Sequence, residues 1–499
     1  MKYVIGIDLG TSSVKVLLIN QHGEVWDEVS KTYPLIQKKS GYSEQNPEQW
    51  VIQTRSALSQ LVQNFQGDVR NIEGISFAGQ MDGLVLLDES YHVIRDAILW
   101  NDTRTSLQCT QICEIVGEER LLSITKKLPA EGFTLPQLLW VREHEPEQFA
   151  RAKVFLLPKD YLRYRMVGAI HTDYSDASAT LLLDIGRKQW SEEICRLFHL
   201  SMELCPPLVD SHTCVGTLSH EFASGTGLSE MTKVFAGGAD NACGAVGAGI
   251  LSEGKTLCSI GTSGVVVSYE ANSETDYEGK VHYFNHAKEN AYYTMGAVLS
   301  AGYSLSWFKN QFASEESFES LLQDLGRVPI GANGLLFTPY LVGERTPYAC
   351  SIIRGSFIGI DATTSRADFV RAVIEGITYA LNESIEILRS KGKRIDTVIS
   401  IGGGTKNEEW LQMQADVFNA TVVKLENEQG PALGAAMLAA YGCGWFDSLE
   451  TCASVFIKYA KLYKPKPENV HKYHEVYKIY QTVYQQTKLI NEQLKAFRK

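Results

Sequence analysis

Residues 10–17 read GTSSVKVL and residues 261–268 read GTSGVVVS. Five of the eight positions coincide: Gly10 with Gly261, Thr11 with Thr262, Ser12 with Ser263, Val14 with Val265 and Val16 with Val267. The copies lie 251 residues apart (10 against 261) in a chain of 499, about half its length. In each, an apolar strand (YVIGIDL or TLCSI) runs into a Gly-Thr-Ser turn and a β-branched run leaves it, which is the pattern of a hairpin. A match placed at half-length predicts a duplicated architecture of two similar domains.

The intervening sequence alternates strands and helices. EQWVIQTRSALSQLVQNF (48–65) carries Trp50, Ala57, Leu58, Leu61, Val62 and Phe65 on one broad apolar face, so it predicts a helix. NIEGISFAG then predicts a strand. PKDYLRYRMVG and RADFVRAVIEGITYALNESIEILRS (366–390) read as helices, and TVISIGGG reads as a strand entering a glycine turn. This mixture predicts an α/β fold. The polar tail, residues 466–499, reads as a helix on the outside of the molecule.

Bulk composition narrows the function classes. Hydrophobic residues make up 44% and charged residues 21%, ordinary for a globular protein. A net charge of −11 argues against nucleic acid or an anionic membrane as partner, since both need a basic face. It leaves room for nucleotides, which a local set of backbone N–H groups can hold. The ten cysteines include no CxxC pair, which argues against zinc and for thiols in a reducing cytosol. The start, KYVIGID, lacks the layout of a signal peptide, and no apolar run approaches a membrane span. A cytoplasmic location is therefore expected.

One motif is a decoy. GILSEGKT (249–256) fits the P-loop pattern letter for letter. A P-loop needs a strand before it and a helix after it, so that the helix dipole faces the phosphates. Here a small-residue helix precedes and a strand follows, so SEGK reads as a plain turn.

Four glycine-rich turns remain. In GIDLGTSSVK (6–15) small Gly, Thr and Ser residues allow close approach to a polyphosphate. Asp8 lies just ahead of them. A carboxylate beside phosphates is repulsive unless a cation stands between, so Asp8 points to Mg²⁺ held through water. The second copy carries Ser259 there, which makes the duplication asymmetric. By itself the turn reads better as a hairpin with a solubilising acid. The second turn is the Gly261–Ser263 copy. In AGGADNACGAVGAG (236–249) Asp240 opens a small-residue helix, where it could be a helix cap or a general base with room for a hydroxyl to approach. In SIGGGTKNEEWLQMQADVF (400–418) a strand, three glycines and a helix could hold a flat adenosine.

The ordered set GIDLGTSSVK, AGQMDG, ILWNDTR, LPKDYLRYR, AGGADNACGAVGAG, SIGTSGV, LVGERTP and IGGGTKNEEWLQMQADVF resembles the FGGY carbohydrate kinases over essentially the whole chain. Within that family it is most similar to the ketopentose kinases. The resemblance implies two actin/hexokinase-like (ribonuclease H-like) domains around a central cleft. Their expected spans are 1–246, with the sugar site and base, and 247–499, with the nucleotide site and helical tail. It also implies ATP- and Mg²⁺-dependent phosphorylation of a ketopentose, D-xylulose, at its terminal hydroxyl, the alternatives being a different ketose, polyol or sugar acid as substrate on the same fold, or a sugar-binding sensor with weakened turnover. Homodimers are common among such kinases, though no feature here shows one. By position, Asp240 matches the catalytic base and Asp8 the metal-side acid. Thr11, Ser12, Ser13 and Lys15 match the first phosphate loop, and Gly261, Thr262 and Ser263 the second. Gly403 and Asn407 match the adenosine turn. Met81 and Asp82 fall at the sugar contacts, with Asn101, Asp102 and Asn241 in neighbouring motifs.

Three residues depart from the ketopentose-kinase pattern. Asp82 stands where a histidine is usual, Tyr348 where another histidine is usual, and Gln137 where a lysine is usual. An ionised carboxylate only accepts hydrogen bonds, whereas an imidazole does both. The change at 82 therefore bears on which sugar hydroxyls are favoured.

Overall fold

The computed structural model describes residues 1–498. Strands Tyr3–Leu9, Ser13–Asn20 and Val25–Thr32 form an antiparallel meander. Ile72–Gly79 joins Tyr3–Leu9 in parallel, and Lys233–Phe235 joins Ile72–Gly79 in parallel. The second half repeats this order. Gly254–Ile260, Gly264–Glu270 and Tyr292–Val298 form the meander. Ile395–Gly402 and Thr421–Leu425 then add in parallel beyond Gly254–Ile260. Each sheet thus runs third, second, first, fourth, fifth across its core: the duplication is the one the two Gly-Thr-Ser hairpins predicted, and the ribonuclease H-like order is the one the family resemblance implied.

The register corrects one detail of the internal match. Leu9 pairs with Val14 across the first turn, but Ile260 pairs with Gly264 across the second, which is one residue shorter. Gly261 and Thr262 keep their equivalence to Gly10 and Thr11. On the exit strands the equivalence slips by one, so Val265 stands where Lys15 stands. Asp8 faces Lys15, and Ser259 faces Val265. The charged pair exists in the first half only.

Alternation along the first strand sends its residues to two different layers. Ile5, Ile7 and Leu9 join Trp50, Leu58 and Leu61 of the Pro47–Asn64 helix, which starts from an Asn46 cap and a proline. Val4, Gly6 and Asp8 face the other way. There the helix Pro431–Gly442, from the second half of the chain, lies against the sheet. A Cβ on Gly6 would stand 2.0 Å from Ala432 O. The same helix crosses Asp240–Gly247 so tightly that a Cβ on Gly434 would stand 1.8 Å from Cys243 O. Two small-residue helices therefore lock the halves together beside Asp8 and Asp240.

The long helix Arg366–Ser390 begins at a capping box of Ser365 and Asp368 and buries residues along most of its length. The tail helix Pro467–Leu494 is polar outside, but it is more than an external strut: Tyr473, Tyr477, Tyr480 and Tyr484 are buried. Tyr480 lies 5.3 Å from Tyr379 of the long helix, ring to ring. Among the described residues no helix is long and apolar enough to cross a membrane. All ten cysteines are free thiols.

Candidate active site

The Ala236–Asp240 segment is held by its own backbone geometry. Gly237 has φ +78°, and a Cβ there would meet Phe77 O at 2.4 Å, so only glycine fits. Asp240 is the first residue of its helix, and the Asn241 N–H donates to its Oδ1 at 2.6 Å. Burial, and next the negative charge of Asp8, raise the Asp240 carboxyl to about 7 against the pull of that N–H. A carboxylate poised there is matched to taking a proton at neutral pH. Asp8 is itself raised to about 6 by burial, opposed by Lys15.

A fully buried charge network lies under this segment. Lys159 Nζ sits 2.6 Å from Asp160, 2.8 Å from Asp173 and 3.1 Å from Asp176, all at 0% side-chain exposure. Asp173 Oδ2 accepts from the Ser175 hydroxyl at 2.5 Å, and that hydroxyl accepts from the Ala239 N–H at 3.0 Å. Arg163 donates to Ala236 O at 2.7 Å. Both ends of the segment before Asp240 are thus tied to buried ions. So many desolvated charges are costly unless fully paired, which marks the network as a constraint on geometry rather than a source of stability.

The two Gly-Thr-Ser turns occupy corresponding places. In the first, Gly10 N–H closes on Ser13 O at 3.0 Å, Thr11 accepts Trp100 Nε1 at 2.9 Å on its hydroxyl, and Ser12 is exposed. Lys15 is occupied: its ammonium donates to Gln429 of the second half and lies 3.1 Å from Glu28. In the second, Gly261, Thr262 and Ser263 are exposed, and the Gly302 and Tyr303 N–H groups hold the turn by donating to Gly261 O and Thr262 O. This turn opens on a cavity of about 500 Å³ whose walls include Thr262, Gly403, Lys406, Asn407, Phe318 and Leu322. Asn407 caps the following helix through Oδ1, 3.0 Å from Trp410 N. The glycine triplet at 402–404 packs directly on Ile260; a Cβ on Gly402 would meet Ile260 O at 2.6 Å. An apolar slot beside exposed N–H and hydroxyl groups suits a flat base with its phosphates. Phe318 and Leu322 had no local signal in the sequence.

On the other side, Met81 and Asp82 lie beside Asp240 and Asn241. Asn241 Nδ2 contacts Met81 Sδ at 3.2 Å. Asp82 is buried with φ +59°, and its Oδ1 has no hydrogen-bond partner. Burial raises its carboxyl well above the ordinary range; Lys127 and Arg345 oppose that, and Asp240 adds to it. Asn101 is exposed at the end of the same loop system. Asp102 is placed differently: it is fully buried, and both its oxygens are spent on Arg104 and on the Ser43 N–H.

The two other departures from the ketopentose-kinase pattern each have hydrogen-bond partners of their own within the fold. Gln137 is fully buried and donates to Leu99 O at 2.9 Å and Gly132 O at 2.8 Å, bracing the loop that carries Asn101. Tyr348 stacks on Tyr484 at 3.7 Å and donates to Glu383, so it anchors the tail helix.

Among the described residues no group of three or more His, Cys, Asp and Glu side chains could cage a metal ion. One acid beside phosphates and water is nevertheless what Mg²⁺ takes, since it keeps several waters and uses one or two carboxylates. The donor set at Asp8 fits that ion.

Comparison with known proteins agrees with this geometry. Residues 3–247 match the sequence model of the N-terminal domain, and residues 256–443 that of the C-terminal domain, of the FGGY family of carbohydrate kinases. The chain is 62% identical over its full length, and that of the relative, to the xylulose kinase of Bacillus subtilis. It is 38% identical to that of Escherichia coli over 87% of this chain and 89% of the other. Among solved structures, a kinase from Brucella ovis described as a xyloylose kinase superposes with TM-score 0.92 at 33% identity, covering 97% and 99% of the two chains. A gluconate kinase from Lactobacillus acidophilus superposes with TM-score 0.93 at 25% identity, covering 97% and 98%.

Proposed function

Because the chain belongs to the FGGY family of carbohydrate kinases, we propose that it transfers the γ-phosphoryl group of ATP to the terminal hydroxyl of D-xylulose, giving D-xylulose 5-phosphate. The observation that carries this reading is Asp240, raised to about 7 at a helix start and facing Asp8. The choice of sugar rests on the full-length identity of 62%, because the fold alone superposes equally well on a gluconate kinase.

Asp240 accepts the proton of the sugar hydroxyl while that oxygen attacks the γ-phosphorus in line and the bond to the β–γ bridging oxygen breaks. Met81, Asp82, Asn101 and Asn241 hold the sugar. Asp102, with no free oxygen, positions the loop of Asn101. Thr11, Ser12 and Ser13 face the phosphates from one side, and Gly261, Thr262 and Ser263 from the other. Gly403 and Asn407 take the adenosine. Lys15 links the halves through Gln429, so its contact with phosphate requires that link to open. Asp8 would hold Mg²⁺ through water, and the ion supplies charge neutralisation for the phosphates. Closure of the halves on both substrates excludes water. Such an enzyme works in the cytoplasm, where ATP is.

An ADP-release assay coupled to a panel of D-xylulose, D-ribulose, xylitol, glycerol and gluconate tests the reading. Release with D-xylulose far above the sugar-free blank is expected. Release that is indifferent to every sugar overturns it.

A further inference from the structure

Lys127 stands in SITKKLP, between the partly exposed Lys126 and Leu128. It is itself only 1% exposed. Its ammonium donates to Ser178 O at 2.5 Å and lies 3.6 Å from the centre of the Phe284 ring. From there contacts run without a break to Met81. Phe284 stacks on Tyr293 at 5.1 Å, and the Tyr293 hydroxyl touches Met81 Sδ at 3.9 Å. Lys127 is therefore joined through two aromatic rings to Met81, the residue next to Asp82.

The two side chains act on each other without pairing: burial, opposed by Asp82, lowers the Lys127 amine to about 7, and burial, opposed by Lys127, raises the Asp82 carboxyl. Lys127 spends one of its three donors on a backbone carbonyl, and Asp82 keeps a buried oxygen with no partner. Each is the other's leading source of opposite charge. A buried carboxylate oxygen left unsatisfied is costly, on the order of 1–3 kcal/mol or more, so its partner is to be sought outside the chain. A hydroxyl group, of a sugar or of a water it displaces, satisfies both, since it donates to one and accepts from the other. His282 lies on the same wall, 6.1 Å from Phe133, and burial holds it neutral at about 3. Arg345 is exposed nearby and also acts on Asp82.

Resting on the sugar-kinase reading above, we propose that Lys127 is a specificity-determining residue. With Asp82 it clamps one sugar hydroxyl between a donor and an acceptor, so that the pair at 82 and 127, rather than residue 82 alone, selects the sugar.

The test is a double-mutant cycle with Lys127→Met, Asp82→Asn and the double variant, reading KM and kcat for D-xylulose and for ATP. Lys127→Met is expected to raise the KM for D-xylulose about tenfold or more, the loss of a charge-assisted hydrogen bond, with the KM for ATP within twofold. The double variant is expected to lose at least fivefold less than the product of the two single losses. Lys127→Gln, which keeps a donor for Ser178 O, is measured alongside; if Lys127→Met does not fold, it is expected to show the same selective rise. A sugar KM within twofold of wild type in either folded variant, or losses that multiply, overturns the proposal. A wild-type protein that releases no ADP with any sugar would instead overturn the kinase reading. In that case calorimetric binding of D-xylulose to wild type and variants still decides the role of Lys127.

Discussion

The backbone N–H of Ala239 donates to the Ser175 hydroxyl at 3.0 Å, one residue ahead of Asp240. That single bond connects the base to the buried Lys159–Asp173 pair. Ser175→Ala removes it while leaving Asp240 unchanged. We expect kcat to fall roughly 10- to 100-fold, the scale of a base displaced by about an ångström, with sugar and ATP KM values within threefold. Ser211→Ala removes another bond to the same Asp173 oxygen (2.8 Å) and is expected to leave kcat within twofold. Steady-state kinetics of both variants checks this.

If Asp240 is the base, as proposed, it sets the acid limb of the pH profile. A base must be ionised, so kcat/KM is expected to rise with pH and level off above about 7, the value that burial and Asp8 impose on the free enzyme. Asp8→Asn removes the negative neighbour, and the limb is expected to move to lower pH. An unmoved limb, read from kcat/KM between pH 5 and 9, would separate the two acids.

The nucleotide side rests on backbone contact. A Cβ on Gly302 would stand 2.3 Å from Gly261 O, and Gly302 N–H is itself one of the bonds that hold the turn. Gly302→Ala should raise the Kd for ATP at least tenfold while leaving sugar binding intact, as measured by calorimetry with each ligand alone.

Glu383 links pH to stability. Burial raises its carboxyl from 4.5 to about 8, and it accepts a hydrogen bond from Tyr348. In the folded state it binds a proton that the unfolded chain releases above about 4.5. The contribution of Glu383 to stability is therefore fully present below that pH and is lost as pH rises towards 8. Glu383→Gln should flatten the fall in Tm between pH 5.5 and 8.5, by a few degrees relative to wild type. Parallel melting curves across that range check it.

The duplicated hairpin, the long helices and the acid at the head of a small-residue helix were legible because each is a local pattern. The slip between Val14 and Val265 was not, because turn length shows only in the strand register. Asp102 is expected with Asn101 among the sugar-side residues, yet its carboxylate is taken up by Arg104 two residues on. Lys127 and Arg345 reach the pocket from segments 45 and 263 residues away from Asp82, and nothing at those separations is periodic. Tyr348 sits in a motif of the active-site family but is spent on holding the tail helix.

The most direct test is the product. Wild-type protein, ATP, Mg²⁺ and D-xylulose are incubated, and phosphorus–proton correlation NMR locates the new ester. We predict phosphorus coupled to the terminal C5 methylene protons, one ADP per ester, and loss of the signal in Asp240→Asn at equal protein concentration. ADP without a sugar ester, or an Asp240→Asn variant that forms the ester at the wild-type rate, would contradict the account.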